Sequence, residues 1–479
     1  MSFQQGLSGL NAASKNLEVI GNNVANANTV GFKQSQAQFA DVFASSMTGS
    51  GTSQVGIGTQ VAAVAQQYTQ GNISSSNNPL DIAINGNGFF RMSNNGAVTF
   101  TRNGQFHLDK GGYIVNSSGL RLTGYVADAN GVISPGAPVD VKISSADKPP
   151  SATTKAGLLL NLDSRSVVRV PAVTFDAVDP TTYDHTTSAG VYDSLGNPHT
   201  LQTFYVKTGP NTWDVYAAND GTEITKLAAT EAASAAAALL GATPTTIANA
   251  AIAAVPGLTV AQQAAVTAAA TAASLLSGAT PTTIANAAVA AVPAATVGNL
   301  VFNASGNLDT TLSSALPMTI SLPLFPATGA TKPLVVAVDF TGTSQFGSNF
   351  GVNAMTQDGY ASGRLTGFSA GEDGIITGRY TNGQTTKLGQ IVLGNFANPN
   401  GLASLGNNQW AETATSGLAL VSTAGSGGLG VLQSSATEDS NVDITAELVN
   451  MITAQRLYQA NAQTIKTQDQ VLQTLVNLR

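Results

Sequence analysis

The sequence of 479 residues contains no cysteine and few charged side chains. The absence of cysteine excludes disulfide bonds, thiolate metal sites and cysteine nucleophiles. Lysine, arginine, aspartate and glutamate together make up only 10% of the chain, against roughly 25% in an average soluble domain. With a net charge of −7, the chain lacks the basic surface that nucleic acid binding requires. We therefore expect no nucleic acid partner.

Long apolar runs are also missing. The most apolar long stretch, residues 227–298, is rich in alanine but is interrupted by prolines, so we expect no membrane insertion. The first positive charge is Lys15, and the N-terminal region has no continuous apolar segment. A cleaved signal peptide needs both features close together. If this protein works outside the cell, we expect an export route that leaves the N-terminus intact.

Recognisable catalytic constellations are absent from the sequence. Residues 425–430, GSGGLG, match the dinucleotide-binding pattern, but such a site requires the loop to open directly into a helix. Residues 431–433, VLQ, and a Ser/Thr/acidic stretch follow instead. Acidic pairs such as Glu438-Asp439 are expected to be solvated. We predict no catalytic residues, no metal site, no cofactor and no enzymatic activity.

The last forty residues carry a narrow apolar seam on a predicted helix that starts near Val442. Its members recur every seven positions, a spacing typical of a helix that packs against another helix. They are Ile444, Met451, Tyr458, Ile465 and Leu472, with Leu448 beside them.

Residues 2–27 predict a second thin-seamed helix at the other end of the chain. Its seam consists of Phe3, Leu7, Leu10, Leu17 and Val24. Gly6, Gly9 and Gly21 should each cost about 1 kcal/mol relative to alanine, so this helix should be mostly unfolded on its own. The two seams need a partner, which is either the other terminal helix of the same monomer or a neighbouring subunit.

A distinctive segment follows the N-terminal helix at residues 22–33, NNVANANTVGFK. It resembles the N-terminal signature of the bacterial flagellar rod and hook axial proteins, with the hook proteins the better match at residues 1–13. The C-terminal runs at 447–456 and 461–467 also match that family. The signature residues are Asn22, Asn23, Asn26, Thr29, Gly31, Phe32 and Lys33.

This resemblance implies a structural subunit of the flagellar hook, a self-assembling hollow curved tube that acts as a universal joint transmitting torque from rod to filament. The implied partners are further copies of the chain, the rod, hook-cap and hook–filament junction proteins, and the flagellar type III export apparatus. The implied location is the basal body and hook, outside the cell, without a cleaved signal peptide. The alternatives are a distal rod protein of the same family and a secreted β-rich adhesin or binding module.

Phe39 and Phe43 form a Phe-x-x-x-Phe pattern after the signature. It resembles the short segment that rod and hook proteins present to the gate of the export apparatus. A simpler interpretation is one apolar face of a short helix, since residues four apart are neighbours on a helix. Both interpretations can hold together.

The middle of the chain carries short alternating apolar patterns separated by Asn-Gly and other turn signals, which predict β-strands. We therefore predict an α+β fold with paired, coiled-coil-like terminal helices and two nested, mainly-β domains. The predicted domains are a terminal helical assembly domain with its connecting segment (1–71 and 436–479), a β domain (72–147 and 351–435) and an outer β domain (148–350).

Residues 227–298 are predicted to be an Ala-rich helical insert in the outer domain. Residues 241–256 repeat at 278–293 with one difference. Each copy has Thr-Pro near its start, which suits a helix N-cap followed by the first helical position. The predicted helices are 227–239, 244–254, 260–276 and 281–291. A disordered tract is the alternative, because repeated Ala/Pro/Thr composition is also compatible with disorder.

Overall fold

A computed structural model describes residues 2–42, 56, 58–128, 130–144, 146–169, 174–326 and 328–477. The chain divides into two compact units. The terminal unit comprises Met1–Ala146 and Leu365–Arg479, and the central unit comprises Asp147–Arg364. The domain boundary predicted at residue 350 therefore falls inside the central unit.

The helices and strands are as follows. The α-helices are α1 (Ser2–Ala25), α2 (Ile224–Ala237), α3 (Pro244–Ala253), α4 (Val260–Ser274), α5 (Pro281–Ala290) and α6 (Ile444–Asn477). The first strands are β1 (Ser35–Val42), β2 (Gly58–Gln66), β3 (Ile73–Ser75), β4 (Ile82–Asn85), β5 (Phe89–Asn94), β6 (Ala97–Thr101), β7 (Phe106–Leu108), β8 (Ile114–Asn116), β9 (Arg121–Val126) and β10 (Val139–Asp140). Those of the central unit are β11 (Lys155–Asp163), β12 (His185–Tyr192), β13 (Pro198–Gly209), β14 (Thr212–Asn219), β15 (Thr222–Glu223), β16 (Gly298–Val301), β17 (Met318–Leu322), β18 (Leu334–Asp339), β19 (Ser344–Phe346) and β20 (Gly351–Gln357). The last are β21 (Leu365–Ala370), β22 (Ile375–Tyr380), β23 (Thr385–Asn395), β24 (Ala403–Gly406), β25 (Gln409–Ala411), β26 (Leu420–Thr423), β27 (Val431–Ser434) and β28 (Ala436–Glu438). Short 3₁₀ turns lie at Pro180–Thr182 and Pro399–Gly401.

In the terminal unit a twelve-stranded sheet runs in the order β21-β22-β23-β9-β5-β6-β25-β24, with β7, β8, β10 and β26 paired at its sides. The hairpin β1–β2 and the pairs β4–β27 and β3–β28 stand apart from it. The last two pairs join a strand after the N-terminal helix to a strand before the C-terminal helix. The two ends of the chain are therefore tied together by backbone hydrogen bonds as well as by their helices.

In the central unit two five-stranded sheets enclose one core. One sheet has the order β17-β18-β11-β19 with β20 against β11, and the other has the order β12-β13-β14-β15 with β16 against β14. Strand β17 shows why these residues form a half-buried strand, since Met318, Ile320 and Leu322 are buried while Thr319 and Ser321 are exposed. Successive side chains of a strand point to opposite faces, so this alternation puts every apolar residue on the core side.

The insert folds into four helices, α2 to α5, with a core of small side chains. Thr243, Thr259 and Thr280 cap α3, α4 and α5, each in a reciprocal capping box. Pro244 and Pro281 occupy the first helical position, where the missing N–H costs nothing. The prediction of four helices is confirmed to within three residues at each end, and with it the α+β fold.

Candidate functional site: the paired terminal segments

Helices α1 and α6 lie against each other in the terminal unit, and two glycines allow their close approach. A Cβ atom on Gly9 would lie 2.8 Å from Asn461 Oδ1, and one on Gly6 would lie 3.0 Å from Ile465 Cγ1. The helix-propensity cost of these two glycines is therefore offset by interhelical packing that a side chain would disturb. Gly21 differs, because a Cβ there would meet nothing within 4 Å.

The face of α1 that is buried is not the predicted seam. Gly6, Ala13 and Ile20 are buried at a spacing of seven, whereas Phe3 and Leu7 are exposed. The buried line is displaced by one residue, which is about 100° around a helix with 3.6 residues per turn. Small residues occupy the tight contact, and much of the bulkier apolar seam is left outside it.

The predicted seam residues consequently fall into two groups. Those that are half-buried are Leu10, Leu17, Val24, Met451 and Ile465. Those that are exposed are Phe3 (47%), Leu7 (44%), Ile444 (43%), Leu448 (46%), Tyr458 (37%) and Leu472 (51%). The second group is an unusual amount of large apolar surface for two neighbouring helices, and such surface marks an interaction site.

Asn23 of the signature is a buried hydrogen-bonding centre. Its Nδ2 donates to the Ser35 carbonyl at 2.8 Å and to Glu447 Oε1 at 3.3 Å. Its Oδ1 accepts the Ser35 amide at 2.9 Å. One asparagine thus joins the end of α1, the start of β1 and the first turn of α6, and an aliphatic side chain would remove all three of these hydrogen bonds.

The other polar signature residues shape the turn after α1. Asn26 Nδ2 donates to the Asn22 carbonyl at 2.9 Å, and Thr29 Oγ1 donates to Asn26 Oδ1 at 3.2 Å. Gly31 has φ +71°, and a Cβ there would lie 2.6 Å from the Asn103 amide nitrogen. Only glycine fits this position, both because of its left-handed conformation and because of the lack of space.

Phe32 and Lys33 complete the signature, and both side chains are buried. Lys33 Nζ lies 2.7 Å from Glu438 Oε1, and Arg102 Nη1 lies 3.0 Å from Glu438 Oε2. Lys33 also donates to the Thr69 carbonyl at 2.7 Å. Burial lowers the pKa of Lys33, and the nearby carboxylate of Glu438 opposes that shift.

The expectation that Glu438 is solvated is wrong, since its side chain is completely buried. The burial of Glu438 could not be predicted locally, because Glu438 stands in a polar stretch and its cationic partners lie hundreds of residues earlier. The signal that could have found it is the lone lysine in the otherwise uncharged signature, since a buried lysine needs an anionic partner.

Glu447, in the first turn of α6, is a second buried carboxylate that sequence reasoning did not single out. Its Oε1 accepts hydrogen bonds from Asn23 and, at 2.5 Å, from Gln34 Nε2. Its Oε2 has no hydrogen-bond partner among the described residues. It borders a polar cavity of about 590 Å³ between α1, β1 and α6, whose lining includes Asn16, Gln36, Asn450 and Leu457.

Phe39 lies in strand β1, opposite Val61 of β2, and its side chain is exposed. The interpretation of Phe39 as part of a short helical face is therefore wrong. The pairing register of β1 with β2 shifts between Gln38 and Phe39, and both of these residues are exposed. Phe43, the other member of the pattern, lies outside the described residues.

The part of the chain that the structure describes was compared with the features of a metal site, a membrane span and a dinucleotide-binding loop. No group of three or more His, Asp or Glu side chains there could hold a metal ion. No helix in that part is long and apolar enough to cross a membrane. Residues 425–430 form a turn that leads into strand β27 rather than a helix, which removes the dinucleotide-binding context.

Four family models match parts of the chain, and two of them cover its terminal helices. The model described as "Flagella basal body rod protein" matches residues 3–33, and "Flagellar hook protein FlgE/F/G D1 domain" matches 83–148. "Flagellar basal body protein FlaE D2 domain" matches 161–360, and "Flagellar basal body rod FlgEFG protein C-terminal" matches 433–478. The last match contains the two buried carboxylates that contact the signature: Glu438 pairs with Lys33, and Glu447 accepts a hydrogen bond from Asn23.

Full-length relatives decide between the branches of this family. The flagellar hook protein FlgE of Escherichia coli is 40% identical over 491 aligned positions, which cover 100% of both chains. That of Salmonella typhimurium is 39% identical over 486 positions, also covering 100% of both. The chain belongs to the flagellar hook protein family. A solved Helicobacter pylori hook protein, FlgE2, is 12% identical with a TM-score of 0.45, over 75% of this chain and 99% of that one.

Membership of the hook protein family settles the main alternatives. The models at the two ends are shared by rod and hook proteins, but the similarity to hook proteins runs through the middle of the chain as well. This favours a structural hook protein over a distal rod protein and over a secreted adhesin. The expectation of a flagellar axial protein that belongs in the hook is confirmed.

Proposed function

We propose that this hook protein polymerises through its terminal helices into a hollow curved tube that works as a universal joint between rod and filament. The observation that carries the proposal is the row of exposed apolar residues on α1 and α6. Two helices that have already paired within one chain still expose six bulky seam residues, from Phe3 to Leu472. A neighbouring subunit is the partner that would bury them.

The exposed apolar side chains of α1 and α6 would stabilise contacts between subunits rather than the folded monomer. Burying a leucine or phenylalanine side chain contributes about 1.5–3 kcal/mol, so covering the exposed seam residues of the paired helices would favour contact with a neighbouring subunit. Helix α6 exposes three further apolar residues, Val449, Ile452 and Val471, which add to its apolar surface. A contact between two different surfaces of identical subunits produces an open helical polymer.

The proposal extends to partners and location. The chain would contact the rod, the hook cap and the hook–filament junction proteins at the two ends of the tube, and would reach its place outside the cell through the type III export apparatus. It would travel unfolded and without a cleaved signal peptide, with Phe39 and Phe43 as the segment presented to the export gate. It would need no cofactor and catalyse no reaction.

Deletion of residues 1–30 or of residues 440–479, followed by electron microscopy, tests the proposal. Both deletions leave Lys33, Arg102 and Glu438 in place, so the buried ion cluster of the terminal unit is retained. We expect soluble monomers whose β-sheets still unfold cooperatively, and no tubes. Tubes of normal diameter from either deletion variant would contradict the assignment of the terminal helices to assembly.

A further inference from the structure

Two turns of the Ala-rich insert present pairs of leucine side chains to solvent. Leu239 and Leu240 follow α2, and Leu275 and Leu276 follow α4, and each is at least 68% exposed. Each pair precedes a glycine with positive φ, at Gly241 and Gly278. We call these two pairs the leucine tips.

Both leucine tips lie at the same end of the insert. The chain leaves the sheet at β15, returns to it at β16, and both strands pair with β14. Consecutive insert helices pack against each other and are joined by short connections, so they alternate in direction. The turns after α2 and after α4 are therefore both at the end away from β14, so all four leucines are exposed at one end of the insert.

The same unit contains an apolar groove of about 680 Å³ along one face of α2. Ala228, Ala232 and Ala235 line its wall at helical spacing, with Val255 and Pro256 from the end of α3 beside them. Pro323 and Pro333 form the opposite side. Small and cyclic side chains leave room there for bulkier apolar groups.

The groove carries no net charge. Its charged lining residues are Glu231 and Lys332, which form an ion pair with each other. The leucine tips are also uncharged, since Glu231 is the only charged residue in 227–298. In a chain with a net charge of −7, two copies repel each other, and a contact between two neutral surfaces avoids that repulsion.

The leucines of a chain do not enter the groove of that chain, since all four are exposed. We propose that the leucine tips of one subunit dock into the groove of α2 on a neighbouring subunit. This inference rests on the proposed polymerisation, because the occupant is a second copy held close by the terminal helices. Tip and groove are different surfaces, so the contact is of the heterologous kind that an open polymer requires.

Cysteine crosslinking in the assembled polymer tests the contact, because the natural chain has no cysteine. The full chain with Leu240→Cys and Ala235→Cys is assembled and treated with a short bis-maleimide. We expect a ladder of crosslinked multimers at least fivefold stronger than in a control with Leu312→Cys and Ala235→Cys, since Leu312 is exposed but lies outside the insert. A ladder of equal strength in the control would overturn the inference.

Further outcomes separate this inference from the proposed function. An equal ladder from Leu240→Cys alone would mean that tips pack on tips, and would overturn docking in the groove. Tubes that form without any excess crosslinking overturn the docking and leave hook assembly intact. If the unmodified chain forms no tubes, the proposed function fails and this inference fails with it.

Replacing all four tip leucines by serine gives an independent measurement. These side chains are exposed, so the unfolding midpoint of the monomer should stay unchanged. The tubes should dissociate at a lower urea concentration than those of a Leu312→Ser control. Identical dissociation of the two variants would overturn the contact.

Discussion

Lys33 Nζ and Glu438 Oε1 lie 2.7 Å apart although 405 positions separate them in the sequence, and neither side chain is exposed. Glu438 also pairs with Arg102, so one carboxylate compensates two buried cations. Removing a single partner from a buried ion pair leaves uncompensated charge in the interior.

Glu438→Gln should therefore destabilise the terminal unit by about 3–5 kcal/mol. Urea unfolding followed by circular dichroism measures the change. Glu18→Gln is the matched control, since Glu18 pairs with Lys15 on the surface with both side chains about 60% exposed. That replacement should cost less than about 1 kcal/mol. If both replacements lowered the free energy of unfolding equally, the buried ion cluster would contribute no more to stability than a surface ion pair.

Gly9→Ala should weaken the pairing of α1 with α6, because the new Cβ would lie 2.8 Å from Asn461 Oδ1. Such overpacking typically costs about 1–3 kcal/mol. Gly21→Ala has free space and should stabilise α1 by about 1 kcal/mol through helix propensity. Amide hydrogen exchange in α1 measures both, and the prediction fails if the two alanines change protection in the same direction.

Leu448→Ser should impair assembly more than folding. Leu448 is exposed on α6, so its replacement should change the free energy of unfolding of the monomer by no more than about 0.5 kcal/mol. The yield of tubes in sedimentation assays should fall several-fold. Gln459→Ser, an exposed change on the same helix, is the control and should leave the yield unchanged. A normal yield from Leu448→Ser would remove this residue from the assembly surface.

Phe39→Ala combined with Phe43→Ala should block secretion without lowering the stability of the folded chain. Phe39 is exposed on β1, so little packing is lost. Val64→Ala, an exposed change on the partner strand β2, should leave secretion normal. Immunoblotting of culture medium and cell fractions reports the result, and wild-type secretion of the double variant would discard the export role.

Glu223, the N-cap of α2, should make the stability of the central unit depend on pH. Burial raises its pKa, and hydrogen bonds from Thr225 and Lys226 oppose that shift. Because the folded pKa is the higher one, this contribution to stability is fully present below the unfolded pKa. It is lost as the pH rises through the folded pKa.

Glu223→Gln should reduce the loss of thermal stability between about pH 4 and about pH 7, since the unfolded pKa of glutamate is about 4.3. Scanning calorimetry of both proteins at the two pH values measures the difference. Glu372→Gln, an exposed carboxylate in the other unit, should behave like the unmodified chain. If Glu223→Gln lost as much thermal stability between the two pH values as the unmodified chain, Glu223 would not be the source of the pH dependence.

Local chemistry explains which features the sequence could predict. The helices of the insert were predictable because Thr243 and Pro244, like Thr280 and Pro281, define a helix start within two residues. The terminal helices were predictable because their apolar spacing is regular over many turns. In both cases the information lies within one element.

Features that depend on contacts across the chain were not predictable. The buried face of α1 is displaced from the predicted seam because Gly6 and Gly9 allow closer packing than leucine does, and a spacing rule counts only bulky residues. The strand position of Phe39 was missed because an i, i+4 pair of aromatics suggests a helical face, and its pairing partner β2 cannot be recognised from that pair. The burial of Glu438 depends on Lys33 and Arg102, which no local pattern connects to it.

The Ala-rich insert begins and ends beside one strand, since β15 pairs with Ala218 and Asn219 of β14 while β16 pairs with Thr212 to Val215. The entry and exit of the insert are therefore fixed by a scaffold that does not depend on what lies between them. A tight turn or a foreign domain with neighbouring termini could replace residues 227–297 while β14 keeps both of its partners. This position is therefore a site at which an engineered variant of this chain can carry an inserted domain.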